Sequence, residues 1–167
     1  MATQLKSSMT RPSLAVLALA AVIVPLTGTP AGAATRVNDY PYRSGAPDRV
    51  DRWNFKTREC TSFAAWRINH NLGVRFQNSY KGQIFGNAGH WDTAARGAGL
   101  RVNGTASVGA IAEFEPHHHA GSVGHVAYVY KVSGSYIYIE EYNFNVVHGY
   151  GTRKILKSWA SHYIHFR

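Results

Sequence analysis

Apolar residues are distributed very unevenly along this chain. Residues 13–26 (SLAVLALAAVIVPL) form one nearly unbroken apolar run, and it follows the basic residues Lys6 and Arg11. Ala31-Gly32-Ala33 then supplies the small residues that a signal peptidase accepts, so cleavage is expected before Ala34. A bilayer span needs about 20 apolar residues, more than this run offers, and Pro25 interrupts its end. No cysteine stands at the cleavage site to carry a lipid. A cleaved signal over residues 1–33 is expected, and with it secretion and no stable membrane anchor.

The pattern changes three times after the signal. Residues 34–52 are rich in Pro, Gly, Asp and Arg and show no apolar period, so they read as an extended arm packed through Tyr40 and Tyr42. Phe63, Ala64, Trp66, Ile68 and Leu72 then recur at helical spacing, with Thr57 as the expected N-cap and Gly73 as the stop. A second helix is expected over residues 87–96 (NAGHWDTAAR). Beyond it, residues 109–114, 123–132, 135–143 and 163–166 are rich in β-branched and aromatic side chains and bounded by turn residues. Helices followed by an antiparallel meander predict an α+β domain over residues 53–167, with the N-terminal helices on one face of the sheet.

Composition narrows the function. Removing 33 residues from 167 leaves 134, enough for one domain with its own core. Lys6 and Arg11 leave with the signal, so the net charge falls from +9 to +7. Such a charge attracts polyanions. The basic residues are scattered, which argues against a nucleic-acid stripe and leaves the bacterial wall as the polyanion within reach of an exported chain. The chain has a single cysteine, Cys60, so an internal disulfide is impossible. An unpaired cysteine in an exported protein is either a small buried hydrophobe or a reactive thiol.

The neighbours of Cys60 favour the reactive thiol. With Thr57 as cap, Cys60 falls in the first turn of the helix, where unpaired N–H groups and the helix dipole favour an anion. The same N–H groups could receive the oxyanion of a tetrahedral intermediate. His125 shares a strand face with Ala127 and Val129, while Glu141 and Asn143 continue the face of Ile137 and Ile139. Glu140 falls on the side of the tyrosines and is expected to be solvated. A three-residue turn at residues 132–134 would pair Lys131 with Ser135 and set His125 directly opposite Glu141, with Asn143 diagonal. A thiol, an imidazole and an acid in that order can perform nucleophilic catalysis at an amide. A buried His–Glu pair beside an idle thiol is the bland alternative.

These residues resemble a known family. Asp51-Arg52-Trp53-Asn54-Phe55 followed by Glu59-Cys60-Thr61-Ser62-Phe63-Ala64-Ala65-Trp66-Arg67 is similar to the nucleophile segment of the CHAP domains (cysteine, histidine-dependent amidohydrolases/peptidases). Gly86-Asn87-Ala88 with Trp91, Ala95 and Gly99 resembles the middle segment. Gly124-His125-Val126-Ala127-Tyr128-Val129, Glu141-Tyr142-Asn143 and Tyr163-Ile164-His165-Phe166 resemble the segments that follow. The resemblance implies a papain-like fold and cleavage of peptidoglycan, by an N-acetylmuramoyl-L-alanine amidase or a stem or cross-bridge endopeptidase. It also implies Cys60 as nucleophile, His125 as base, Glu141 as the acidic member and Asn143 as its helper. No cofactor is expected, and a monomer is. Some family members hold calcium in an acidic loop before the cysteine. Here Asp48 and Asp51 are followed by Trp53, Phe55 and Lys56, so no metal is expected there.

Other signals are weaker. His117-His118-His119 reads as an exposed loop, with adventitious zinc or nickel binding as the alternative. No H-E-x-x-H occurs, which argues against a zinc peptidase. Trp53, Trp66 and Trp91 could line a glycan groove, although helical aromatics more often fill a core. A silent wall-binding module and a cysteine protease or transpeptidase acting on protein are the competing functions.

Overall fold

The structure, a computed structural model, describes Met1 and residues 37–167; the expected signal segment lies outside the described residues. Helix α1 spans Cys60–Leu72 and ends at Gly73, whose left-handed backbone closes the last turn. A 3-10 turn at Ala88–His90 leads into α2, Trp91–Gly97. Among the described residues no helix is long and apolar enough to cross a membrane.

Two short strands, β1 (Ser79–Tyr80) and β2 (Gln83–Ile84), form a small hairpin between the helices. The main sheet contains β3 (Arg101–Asn103), β4 (Ile111–Phe114), β5 (His125–Ser133), β6 (Tyr136–Tyr142), β7 (Tyr150–Leu156) and β8 (His162–His165). Their spatial order is β3-β8-β4-β5-β6-β7, with every neighbouring pair antiparallel. The α+β arrangement is the expected one. The hairpin and strands β3 and β7 were not expected from the apolar pattern.

Both faces of the sheet are buried. On one, Ile111, Val126, Tyr128, Tyr142 and Ile164 pack with Phe63, Ala64, Ile68 and Trp91 of the helices. On the other, Ala112, Phe114, Ala127, Val129, Ile137, Ile139, Ile155 and Tyr163 form a second cluster. Trp53, Trp66 and Trp91 all belong to the core. Tyr40, from the N-terminal arm, is fully buried against Phe63, Trp66 and Tyr142.

Glu140 corrects the expectation of a solvated residue. It is fully buried, because α1 carries Arg67 onto the face that Glu140 shares with the tyrosines. Arg67 Nη2 lies 2.8 Å from Glu140 Oε1, and Tyr150 donates its hydroxyl to the same oxygen at 2.6 Å. The Arg67 guanidinium lies 4.2 Å from the centroid of the Trp66 ring. A buried carboxylate survives only with such partners.

The β5–β6 hairpin differs from the three-residue turn expected. Ser133 pairs with Tyr136, leaving Gly134 and Ser135 as a two-residue loop, with Gly134 at φ 53°. That register, continued unchanged, would set Glu141 opposite Tyr128 and turn it away from the face of His125. A bulge between Val129 and Lys131 shifts the pairing by one residue, so that Tyr128 faces Glu140. His125 and Glu141 therefore share a face as diagonal neighbours, not as the directly opposed pair expected.

Candidate active site

Cys60 is the first residue of α1. Its cap is Glu59, which makes no side-chain capping bond. Thr57 is not the cap: its hydroxyl donates to the Ala46 carbonyl at 2.9 Å and accepts the Arg49 N–H at 3.1 Å. The first α1 bond runs from Phe63 N–H to the Glu59 carbonyl at 3.1 Å. The N–H groups of Cys60, Thr61 and Ser62 thus have no acceptor within the helix, and the positive end of the dipole lies at the thiol. Cys60 lines a groove of about 440 Å³ together with Asn54, Lys56, Asn78, Asn87 and Val123.

His125 begins β5 and is buried. Its Nε2 lies 2.9 Å from Glu141 Oε2, which leaves Nδ1 for the thiol. Gly124 makes this approach possible. Its φ is 76°, and a Cβ there would fall 2.5 Å from Gly89 N and 2.8 Å from the Phe114 carbonyl oxygen. The turn carrying Gly89 therefore closes directly onto the chain entering His125, where the Gly89 N–H donates to the Val123 carbonyl at 2.9 Å.

Burial works against a charge on His125. The electrostatic influence of Cys60 beside it, with the hydrogen bond and charge of Glu141, outweighs it and pushes the imidazole up to about 9. Burial would likewise raise Glu141, but hydrogen bonds from His125 and Arg153, and then their charges, hold its carboxyl below the ordinary value. Glu141 thus stands as a carboxylate directly behind the imidazole.

Arg153 and Phe144 were not singled out in the sequence. Arg153, on β7, forks onto Glu141, with Nε to Oε1 at 2.6 Å and Nη2 to Oε2 at 2.8 Å. Its guanidinium lies 3.8 Å from the Phe144 ring centroid, and the His125 ring centroid is 4.8 Å from that same ring. The alternation Gly151, Arg153, Ile155 was the available signal, but residues 150–156 carry too few apolar residues to have been read as a strand.

Asn143 lies just beyond β6 with φ 52°. Its amide donates to Glu59 Oε1 and Oε2 at 2.9 and 2.8 Å, and its carbonyl accepts the His148 N–H at 2.7 Å. The side chain expected to help the imidazole is instead bonded to the residue preceding Cys60.

The acidic loop before Cys60 does not suit calcium. Asp51 Oδ1 accepts the N–H groups of Trp53 and Phe55 at 2.8 and 2.9 Å, and its Oδ2 accepts the Ser62 hydroxyl. Asp48 lies 3.6 Å from Lys56 Nζ. These oxygens are committed to the loop, and the further oxygen ligands calcium requires are missing from the intervening positions. His117, His118 and His119 are exposed, and the His119 ring stacks on Trp159 at 4.7 Å.

The CHAP domain matches residues 50–143, more than half of the chain. The chain belongs to the CHAP family. Its match takes in Cys60, His125, Glu141 and Asn143, but stops short of Arg153. Among curated relatives, N-acetylmuramoyl-L-alanine amidase sle1 of Staphylococcus haemolyticus is 38% identical over 74 residues, which is 44% of this chain and 21% of the amidase. A probable autolysin LDP of Staphylococcus aureus is 36% identical over 85 residues, 50% of this chain and 29% of the relative. Staphylococcal secretory antigen ssaA2 of Staphylococcus aureus is 32% identical over 115 residues, 65% of this chain and 37% of the antigen. The matched region thus spans well under half the length of each of these relatives. The crystal structure of an N-acetylmuramoyl-L-alanine amidase from Staphylococcus aureus superposes with a TM-score of 0.56 at 27% identity, covering 64% of this chain and 29% of that one. The CHAP fold, with helices packed on an antiparallel sheet in the papain-like manner, is therefore shared.

Proposed function

We propose that this CHAP chain is a secreted peptidoglycan hydrolase that cleaves the amide between N-acetylmuramic acid and L-alanine, with Cys60 as nucleophile. The observation that carries this reading is the His125 imidazole, bonded through Nε2 to Glu141 at 2.9 Å and electrostatically coupled to Cys60 at the start of α1. The amidase and autolysin names of its relatives support the wall as substrate and favour the amidase bond over a stem or cross-bridge bond. The secretory name of a third relative, together with the export signal expected at residues 1–33, supports an extracellular, wall-associated location.

In this reading the thiolate attacks the amide carbonyl, and the N–H groups at the start of α1 receive the oxyanion. The imidazolium gives its proton to the leaving amine, which leaves the thioester on Cys60. His125 then takes a proton from water, whose oxygen attacks the thioester and releases the acid. Glu141 keeps the ring oriented and stabilises its charged form, and Arg153 keeps Glu141 ionised.

Purified peptidoglycan and a denatured protein substrate, each incubated with the chain, test this assignment. New N-terminal alanine from the wall, with the protein left intact, is the expected product pattern. New amino termini on glycine or on a diamino acid would move the cut to the cross-bridge or stem, and cleavage of the protein alone would reject the wall as substrate.

A further inference from the structure

A second group of ionisable side chains lies on the helix-covered side of the sheet, apart from Cys60 and His125. It joins α2, β4 and β8. Glu113 on β4 is fully buried and pairs across the ladder with His162 on β8. Its Oε1 accepts the Asp92 N–H at 3.1 Å, and its Oε2 lies 3.2 Å from His162 Nδ1. Asp92 Oδ2 and Glu115 Oε1 each lie 4.0 Å from that same nitrogen. One donor atom from each of Asp92, Glu113 and His162 falls within 4.8 Å of the others.

The charge balance here is unusual for this protein. Three of its nine acidic residues face one imidazole nitrogen, although the whole chain carries a net charge of +9. The positive group nearby is the half-exposed Arg96, 3.7 Å from Asp92, and no lysine or arginine among the described residues pairs with Glu113. A buried carboxylate needs a cation or full hydrogen bonding. A single proton on Nδ1 can be donated to one oxygen, not to three.

We propose that Asp92, Glu113 and His162 form a divalent-cation site of the zinc class, with Glu115 at its open edge. An imidazole nitrogen with carboxylate oxygens suits zinc and similar first-row ions, whereas calcium takes more oxygens and magnesium keeps its waters. Tetrahedral bonds of roughly 2.0–2.2 Å put donor atoms about 3.3 Å apart, so the side chains need move by only ~1 Å. The ion would tie α2 to two strands in a chain whose single cysteine rules out an internal disulfide. Asp92 lies two residues beyond the turn whose Gly89 closes against Gly124, so the brace would steady the wall beside His125. The proposal is independent of the substrate assignment.

Calorimetric titration of the chelator-stripped chain with zinc, paired with cobalt absorption, tests it. Expected is one equivalent bound, with affinity reduced at least tenfold in His162→Ala and in Asp92→Asn. Binding should persist in Cys60→Ala and in a triple alanine variant of His117, His118 and His119. Cobalt should give visible ligand-field bands without sulfur charge transfer. Zinc should also raise the melting temperature of the parent chain and not that of His162→Ala. Absence of saturable binding to the folded parent would overturn the site. So would binding unchanged in both Asp92→Asn and His162→Ala, or binding lost with Cys60 or with the histidine loop.

Discussion

Arg153 and His125 share one oxygen of Glu141: Nη2 of the arginine lies 2.8 Å from Oε2, and Nε2 of the histidine lies 2.9 Å from it. The second carboxylate oxygen is taken by Arg153 Nε at 2.6 Å. The acid behind the imidazole is thus clamped from β7, a strand that lies beyond the region matched by the family. Arg153→Ala is expected to cost about 3–5 kcal/mol of stability, the usual penalty for stripping one member of a buried pair. It should also move the acid limb of the activity profile to higher pH, because Glu141 loses a cation that holds its carboxyl down. Arg153→Lys should restore part of the profile. Denaturant unfolding and pH–rate curves read the two effects separately.

The pH window has two edges. His125 is held at about 9 against an ordinary 6.5, so its contribution to stability is full below 6.5 and is lost as pH rises through about 9. Glu141 lies below its ordinary 4.5, so its contribution is full above 4.5 and is lost as pH falls through the lower folded value. Wall hydrolysis should hold a plateau between these edges and decline near pH 9. A decline centred instead near 6.5 would mean that the imidazole is not paired with the thiolate.

Glu140 separates stability from chemistry. Glu140→Ala should destabilise the fold by about 3–5 kcal/mol, because it leaves the buried Arg67 guanidinium without its closest carboxylate. Activity per folded molecule should change little, since Glu140 and Glu141 face opposite sides of the sheet. Chemical denaturation and turnover normalised to folded protein check this.

Gly124→Ala should fail for two reasons. The residue would have to adopt φ 76°, at a cost of about 1–3 kcal/mol, and its methyl would collide with the Gly89 backbone. Loss of wall-lytic activity together with a lowered melting temperature is expected.

The parts of this molecule legible in its sequence are those set by local texture. The β-branched runs of β5 and β6 and the apolar spacing of α1 marked their elements, and Gly73 marked the helix end. The cap is Glu59, two residues after the expected Thr57, because Thr57 turns its hydroxyl into the preceding loop. What was hidden depends on partners distant in sequence. Glu140 looked solvated until Arg67, 73 residues earlier, was brought against it. The Val129–Lys131 bulge leaves no mark in the alternation of apolar residues, yet with the two-residue turn it sets the face of Glu141. Strand β7 is mostly polar because it lies at the sheet edge, so its Arg153 was not read as part of a strand.

Turnover of purified peptidoglycan by Cys60→Ala, His125→Ala and the double variant tests the thiolate–imidazolium pair most directly. Groups that act as one unit lose activity together, so each single change should cost on the order of 10³-fold or more, and the double variant should be no worse than either alone. Substantial hydrolysis by Cys60→Ala, or losses that multiply in the double variant, would contradict the pair.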